Sequence, residues 1–546
     1  MLKEPADPLS GGPKLTLLRP SIPVLADPLV VQLMNRVGVS SRRHGLTELH
    51  RKVMAQLRKY SAHSIVETVL SLLAEPAKDR MEELERLPWL SFLVVKWALQ
   101  DKRVNLTIAP RQLAFSREAH GRILQELWNF HPPEDDPDRT RNAWQLIRSA
   151  FHAQQLFQRE QDLGFLRWPA LIRDLAGDHP CRRMFREATS LEPDDFSDLA
   201  MVMLIFTTIP GATIHPQNLA AVKEGYGERL TRFLELFSRD LKGLRSELRL
   251  PAAAKLVGES ELREFPYLQR FPLYRSEQGI YRCWHPKVFS RGIETTPHLL
   301  MMEQPQAYSD AYSKVFEKHV TALTTRAFSQ ALVESDYKAA LNGNMAQQGK
   351  ALEVIVPFRG CNVFVEAKMS TFPDAVLLDE SEEHRARRLK RVLEAVEQGY
   401  SVSADLRCVA SPFAEQLGNA DCDFLIVVVS RDLLLGGGVG LQRILPSRVL
   451  SASDDGVRQR MPLHHIFIVD LADFENVMEC VYQGWVDLPE LLARAAQNNL
   501  GGPDSRLTLF EHIKLSDGQQ LRPALRHEES ERVMERLRCA LNLPEA

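Results

Sequence analysis

The stretch that most constrains the fold lies at residues 350–370, KALEVIVPFRGCNVFVEAKMS. Its apolar residues alternate on both sides of Phe358-Arg359-Gly360-Cys361, which reads as two strands joined by a tight turn. Successive side chains of a strand point to opposite faces. Phe364, Glu366 and Lys368 therefore share one face, and Val363 and Val365 occupy the other. A turn centred between Arg359 and Gly360 sets Glu353 directly across from Glu366, with Cβ atoms ~5 Å apart. Facing carboxylates repel, so a hairpin that brings them together needs a compensating charge. A hard divalent cation, Mg²⁺ or Mn²⁺, supplies one, because such ions take oxygen ligands.

Periodicity divides the rest of the chain. Residues 1–30 are rich in Pro, Gly and Leu without a sustained period, an irregular arm. From 31 to 255 the apolar spacing is helical, as in Leu230, Phe233, Leu234, Phe237 and Leu241 along one face. Helical stretches are expected near 46–75, 80–100, 111–130, 141–158, 195–208 and 216–248. Turn-rich segments at 131–138 and 209–213 separate them. No fixed repeat period appears, which argues against a solenoid. Residues 256–305 form a connector with a hairpin around Glu277-Gln278-Gly279. Cys283 and His285 nearby read as structural residues, because no second pair of metal ligands accompanies them.

Beyond 305 the pattern becomes mixed. A helix is expected at 308–328, the hairpin at 351–368, a charged helix at 382–400, and strands at 423–429 (DFLIVVV) and 465–470 (HIFIVD). The fold class is therefore α/β (α+β), with a large all-helical N-terminal region followed by a mixed-sheet domain at 306–546 that carries a C-terminal extension.

Charge balance limits the function classes. With 68 Lys+Arg against 71 Asp+Glu over 546 residues, the formal net charge is −3. No global positive field exists, and any nucleic-acid surface must be built locally. Hydrophobic residues at 44% and charged residues at 25% exclude a disordered polymer. The seven cysteines contain no Cys-x-x-Cys pair, so a zinc ribbon is not expected and free thiols in a reducing compartment are. The chain opens without the apolar core of a signal peptide. The longest apolar stretch, 88–99, contains Lys96 and falls short of the ~20 residues of a membrane span. A cytoplasmic protein with no membrane partner is expected.

An acid, a hairpin and then Glu-x-Lys at the end of a strand resemble the PD-(D/E)xK, or restriction-endonuclease-like, nuclease superfamily. The resemblance covers about 310–430, where the charged helix and buried strand also match the usual core of that superfamily. It implies Glu353 and Glu366 as metal-holding acids and Lys368 as the lysine of the motif. Glu317, in KVFEKHV on the preceding helix, matches a further acid common in the superfamily. The implied function is a nuclease dependent on Mg²⁺ or Mn²⁺ that acts on DNA, in prokaryotic restriction or antiviral defence. A protein partner or a homo-oligomer would form through the helical region. The first acid of the superfamily is usually Asp; here it is Glu353, one methylene longer, and the nearest upstream Asp is Asp336. That departure leaves a second reading open, a catalytically inactive nuclease-fold protein acting as a nucleic-acid-binding or scaffold subunit.

Other motifs carry less. EEHRARRLKR places Arg385, Arg387, Arg388, Lys390 and Arg391 within seven residues, on more than one helix face, either as phosphate contacts or as a solvated surface. Gln398, later on that helix, is a candidate polar support. LGGGVG at 435–440 lacks Gly-Lys-Ser/Thr and reads as a flexible loop rather than a phosphate loop. His464 and His465 read as core or loop residues.

Overall fold

The computed structural model describes residues 46–129 except 79 and 111, residue 157, residues 163–248 except 210–212, 267–342, 351–369, 381–500 except 409, 410 and 412, and 506–542 except 517 and 518. The expected arm, the turn at 131–138 and nearly all of the helix expected at 141–158 lie outside them.

The described part of the N-terminal half opens with five helices, Leu46–Leu57, Ala62–Ala74, Arg80–Glu85, Pro88–Gln100 and Arg117–Trp128. Ser61 and Ser116 cap two of them, each side chain accepting a backbone N–H of the first turn. The apolar run at 88–99 is one of these helices, buried on nearly every side among Val53, Ile65, Leu124 and Trp284. Among the described residues no helix is long and apolar enough to cross a membrane.

This half is not all-helical, contrary to the sequence reading. Strands β1 (Thr213–Ile214), β2 (Ser238–Arg239), β3 (Leu273–Arg275) and β4 (Tyr281–Cys283) form a small sheet in the order β1-β4-β3-β2. The hairpin expected in the connector is β3–β4, so it belongs to the N-terminal body. Its partners β1 and β2 are two residues each, too short to show a period. The single helical stretch expected at 216–248 is broken by Gly227, at φ +54°, and by β2.

The second sheet runs β5 (Leu332–Val333), β6 (Val354–Pro357), β7 (Cys361–Lys368), β8 (Cys422–Val429) and β9 (Ile466–Asp470), in that spatial order. The pairs β5–β6 and β6–β7 are antiparallel; β7–β8 and β8–β9 are parallel. Gly360 turns the hairpin at φ +88°, where a side chain would be strained, and the Phe358 N–H closes it on the Cys361 carbonyl at 2.9 Å. Val354 pairs with Val365 and Ile355 with Phe364, the register expected from the sequence.

Helices cover both sheet faces, which is why β8 is a continuous apolar run. Val363, Val365, Ile426 and Val428 pack on the side of helix Pro305–Ala327. Phe364, Leu425 and Val427 pack on the side of helix Lys390–Asp405. Gly399 of that helix lets the two backbones approach, since a Cβ there would come within 2.7 Å of Leu425 Cδ2. The charged helix expected at 382–400 is two helices, Glu382–Arg388 and Lys390–Asp405, hinged at the fully buried Leu389.

Two buried ionic centres tie the elements together. Asp423, 0% exposed at the start of β8, accepts from Asn362 of β7 (2.9 Å), Ser403 (2.6 Å) and both terminal nitrogens of Arg407 (2.7 Å each). Glu475 accepts from Arg167 (2.8 Å) of the N-terminal half and from His319 (3.0 Å) of helix Pro305–Ala327, and pairs with Arg526 (3.3 Å) of the last helix. Burial pushes the Glu475 carboxyl up, but these three partners outweigh it and hold it well below the usual carboxylate range. The apolar core beneath is continuous: Phe196, Phe316, Ile426 and Leu537 belong to one cluster. The change of periodicity near 305 therefore marks no break in packing.

Removing one partner of a buried pair leaves an uncompensated charge, which costs about 3–5 kcal/mol. Asp423→Ala is expected to lower the unfolding free energy by that amount in a urea titration. A loss below about 1 kcal/mol would show that Arg407 finds water or another acceptor.

Candidate active site

The β6–β7 hairpin brings Glu353, Glu366 and Lys368 together. The ladder ends at the pair Val354–Val365; Glu353 lies one residue before Val354 and Glu366 one residue after Val365, close enough that the charge of Glu366 acts on the Glu353 carboxyl. Glu366 is 1% exposed. Its register partner on β8 is Val427, so one flank of the carboxylate is apolar. Lys368 Nζ donates to Glu366 Oε1, a pairing between residues that share a face at the end of β7. The other oxygen, Glu366 Oε2, is buried without a hydrogen-bond partner. A buried carboxylate oxygen left unpaired is costly, and such atoms point to a missing ligand.

Three further residues shape the site. Glu317, half-buried on helix Pro305–Ala327, is close enough to Lys368, Glu334 and Arg391 to feel their charge. Glu334, which is absent from the residues expected at the site, opens the helix that follows β5. Its backbone N–H donates to the Glu353 carbonyl at 3.0 Å, and its carboxylate adds to the negative field on Glu353. The available signal was an acid immediately after a short apolar pair, Leu332-Val333. Asp336 is exposed and bonded to Ser335. Tyr337, fully buried, places its hydroxyl between the N–H and the carbonyl of Leu352 and so pins the residue before Glu353.

The basic cluster is divided by the fold. Arg385 is 1% exposed and donates to the Ile444 carbonyl from Nε (3.2 Å) and Nη2 (3.1 Å), a packing role rather than a surface one. Arg387, Arg388 and Lys390 are exposed, Lys390 beside Glu394 at 3.6 Å. Arg391 donates to the Met369 carbonyl at 3.1 Å, one residue past Lys368, and is the member of the cluster that reaches the site. Gln398 is half-buried on the same helix.

The remaining motifs are structural. LGGGVG is packed rather than flexible: Gly437, Gly438 and Gly440 are buried, Gly437 bridges to Phe467, and helix Gly438–Ile444 starts inside the motif. His465 Nδ1 lies 3.1 Å from the Asp423 and Arg460 carbonyls, with His464 edge-on to its ring. His285 caps helix Pro286–Met301 and meets Glu83 at 2.9 Å.

The electrostatics are those of carboxylates without enough positive charge. Burial pushes Glu353 up to about 8, reinforced by the charges of Glu366, Glu317 and Glu334 and opposed by Lys368. Burial likewise pushes Glu366 up to about 7, against Lys368. Among the described residues no three His, Cys, Asp or Glu side chains are gathered as a ready metal cage. The donor set nonetheless fits a hard cation: two facing carboxylates, an orphaned buried oxygen and a surplus of negative charge. Glu353 and Glu366 would hold the ion, with Glu317 and Glu334 behind them.

No family model matches the chain, and neither curated proteins nor solved structures include a match to it. The reading of the site therefore rests on its residues and geometry.

The raised carboxyl of Glu353 fixes a pH dependence. A glutamate titrates near ~4.3 in the unfolded chain, so the folded state binds the proton more tightly. The stability it contributes is present below that value and is lost as pH rises toward 8. In metal-free protein, Glu353→Gln is expected to exceed wild type in unfolding free energy by about 2 kcal/mol at pH 8.5, after allowance for partial exposure. The difference should vanish near pH 4 in parallel urea titrations. Equal stability at pH 8.5 would contradict the raised carboxyl of Glu353 and the burial and neighbouring charges that raise it.

Proposed function

We propose that this chain is a divalent-metal-dependent nuclease of the PD-(D/E)xK type that hydrolyses phosphodiester bonds in DNA. The observation that carries the reading is the meeting of Glu353 and Glu366 at the end of the β6–β7 ladder, with Lys368 bonded to one oxygen of Glu366 and the other oxygen unpartnered. The αβ arrangement around the hairpin supports it: a helix bearing an acid, a mixed sheet, and a helix bearing Arg391.

Mg²⁺ or Mn²⁺, held by Glu353 and Glu366, would supply charge neutralisation at the scissile phosphate and a bound water of lowered pKa. Lys368 is held in place by Glu366, with the third-strand backbone fixing its root. Its ammonium donates hydrogen bonds to the attacking water or to a phosphate oxygen as negative charge grows. Val427 and Val429 of β8, the register partners of Glu366 and Lys368, limit the water around both residues and so strengthen their interactions. Arg391, anchored on the Met369 carbonyl, would meet a phosphate beside the scissile one. Arg387, Arg388 and Lys390 extend that positive surface along the DNA backbone; Arg385 does not. The N-terminal body, joined through Glu475, would serve targeting or assembly in a defence role of the restriction type.

Lys368→Ala is expected to reduce Mg²⁺-dependent cleavage of DNA roughly 100- to 10,000-fold, and to lower the urea midpoint because Glu366 loses its buried partner, with the variant still folded by circular dichroism at the assay temperature. Cleavage at the wild-type rate by this variant, or no cleavage of DNA or RNA by wild type with Mg²⁺ or Mn²⁺, would remove the assignment. For the basic surface, Arg387→Gln combined with Arg388→Gln should weaken binding to any DNA sequence about equally. The salt slope of the binding constant should fall by about 2. An unchanged slope would take these two residues off the DNA path.

A further inference from the structure

Cys361 opens β7, Cys422 opens β8, and the two are register partners across the parallel pair. Adjacent strands lie ~4.8 Å apart, inside the ~4.4–6.8 Å that separates the Cα atoms of disulfide-bonded cysteines. Register partners share a face, and both sulfurs pack against the same cluster of side chains. The Cys422 thiol donates to the Gly360 carbonyl at 3.8 Å, and the two thiols lie close enough for each to act on the other's charge. Accessibility is unequal: Cys361 is 6% exposed, whereas Cys422 is half-buried and open to a small reagent. The neighbouring Cys361 thiol draws the Cys422 thiol below its ordinary range, while Cys422, with burial, pushes Cys361 up.

We propose that Cys361 and Cys422 form a redox-active dithiol, a covalent modification site that a hydroperoxide converts into a cross-strand disulfide. Cys422, as thiolate, attacks one peroxide oxygen. The O–O bond breaks, hydroxide leaves and takes up a proton, and Cys422 becomes a sulfenic acid. The Cys361 sulfur, losing its proton, then displaces hydroxide from the Cys422 sulfur, and the S–S bond forms with release of a second water. Two thiols lose two electrons, and with hydrogen peroxide one molecule is reduced to two waters. The chemistry draws on neither the carboxylates nor a metal.

The position of the pair determines the effect. It lies beside the Gly360 turn, at the opposite end of β7 from Glu366 and Lys368. The disulfide would fasten β7 to β8 there and close the chain between 361 and 422 into a loop, which restricts the unfolded state. The oxidised protein is therefore more resistant to unfolding, with the carboxylate pair left in place.

The test treats full-length protein with stoichiometric hydrogen peroxide, blocks remaining thiols, and maps peptides by mass spectrometry without reduction. The expected result is a Cys361–Cys422 peptide lighter by two hydrogens, a fall in titratable thiols from seven to five as one pair closes, and reversal by dithiothreitol. The melting temperature of the oxidised form should be higher. Cys361→Ser should leave a Cys422 sulfenic acid that dimedone traps, and Cys422→Ser should leave Cys361 unreactive. A Cys422 sulfinic acid in wild type with no linkage would overturn the proposal. So would oxidation of the exposed Cys408 and Cys539 while Cys361 and Cys422 both remain alkylatable. Should either serine variant fail to fold, the wild-type peptide map decides alone.

Discussion

The repulsion between Glu353 and Glu366 is the constraint around which the C-terminal half is built. A turn at Gly360 fixes the register, and a one-residue slip would send Glu366 to the other face of the sheet. The apolar helices above and below then decide how strongly the two carboxylates are felt. Val427 beside Glu366, and Leu425 packed beneath Gly399, keep water from the buried side, so the carboxylates cannot be relieved by hydration alone. Lys368 offsets one charge. Glu317 and Glu334 add two more around the same point, and the net remains negative.

Such a centre needs a rigid support, and the second ionic centre provides it. Glu475 draws together the N-terminal half through Arg167, the helix of Glu317 through His319, and the last helix through Arg526. His319 and Glu317 lie two residues apart on one helix, so the element that carries the acid to the site is held on another face by the N-terminal body. The apolar core crosses the same junction, from Phe196 to Phe316 to Leu537. Breaking any one of these ionic contacts would leave Glu475 buried with less compensation, an arrangement that resists separation of the two halves.

How much was legible in the sequence follows from how local each signal is. The β6–β7 register could be read because alternation and a two-residue turn are both local, and together they bring Glu353 and Glu366 to the same end of the ladder, just past its last pair, Val354–Val365. The buried strand β8 could be read from its unbroken apolar run. The small N-terminal sheet could not: β1 and β2 are two residues long and are defined by distant partners. Leu389 looked like a mid-helix apolar residue, and only its burial between two helices shows the hinge. Arg385 was indistinguishable from Arg387 and Arg388 until tertiary packing turned it toward the Ile444 carbonyl. Glu334 left only a faint local trace, an acid after Leu332-Val333, and the Cys361–Cys422 pair depends on the proximity of strands separated in sequence, which no single-stretch pattern encodes.

The most direct measurement of the central claim is a calorimetric titration of Mn²⁺ into metal-free protein at pH 7.5, wild type beside Glu366→Gln. The account predicts saturable uptake near one ion per chain in wild type, with proton release as Glu353 ionises, and weakening of at least tenfold in the variant. No saturable uptake by wild type, or equal affinity in the two proteins, would contradict it.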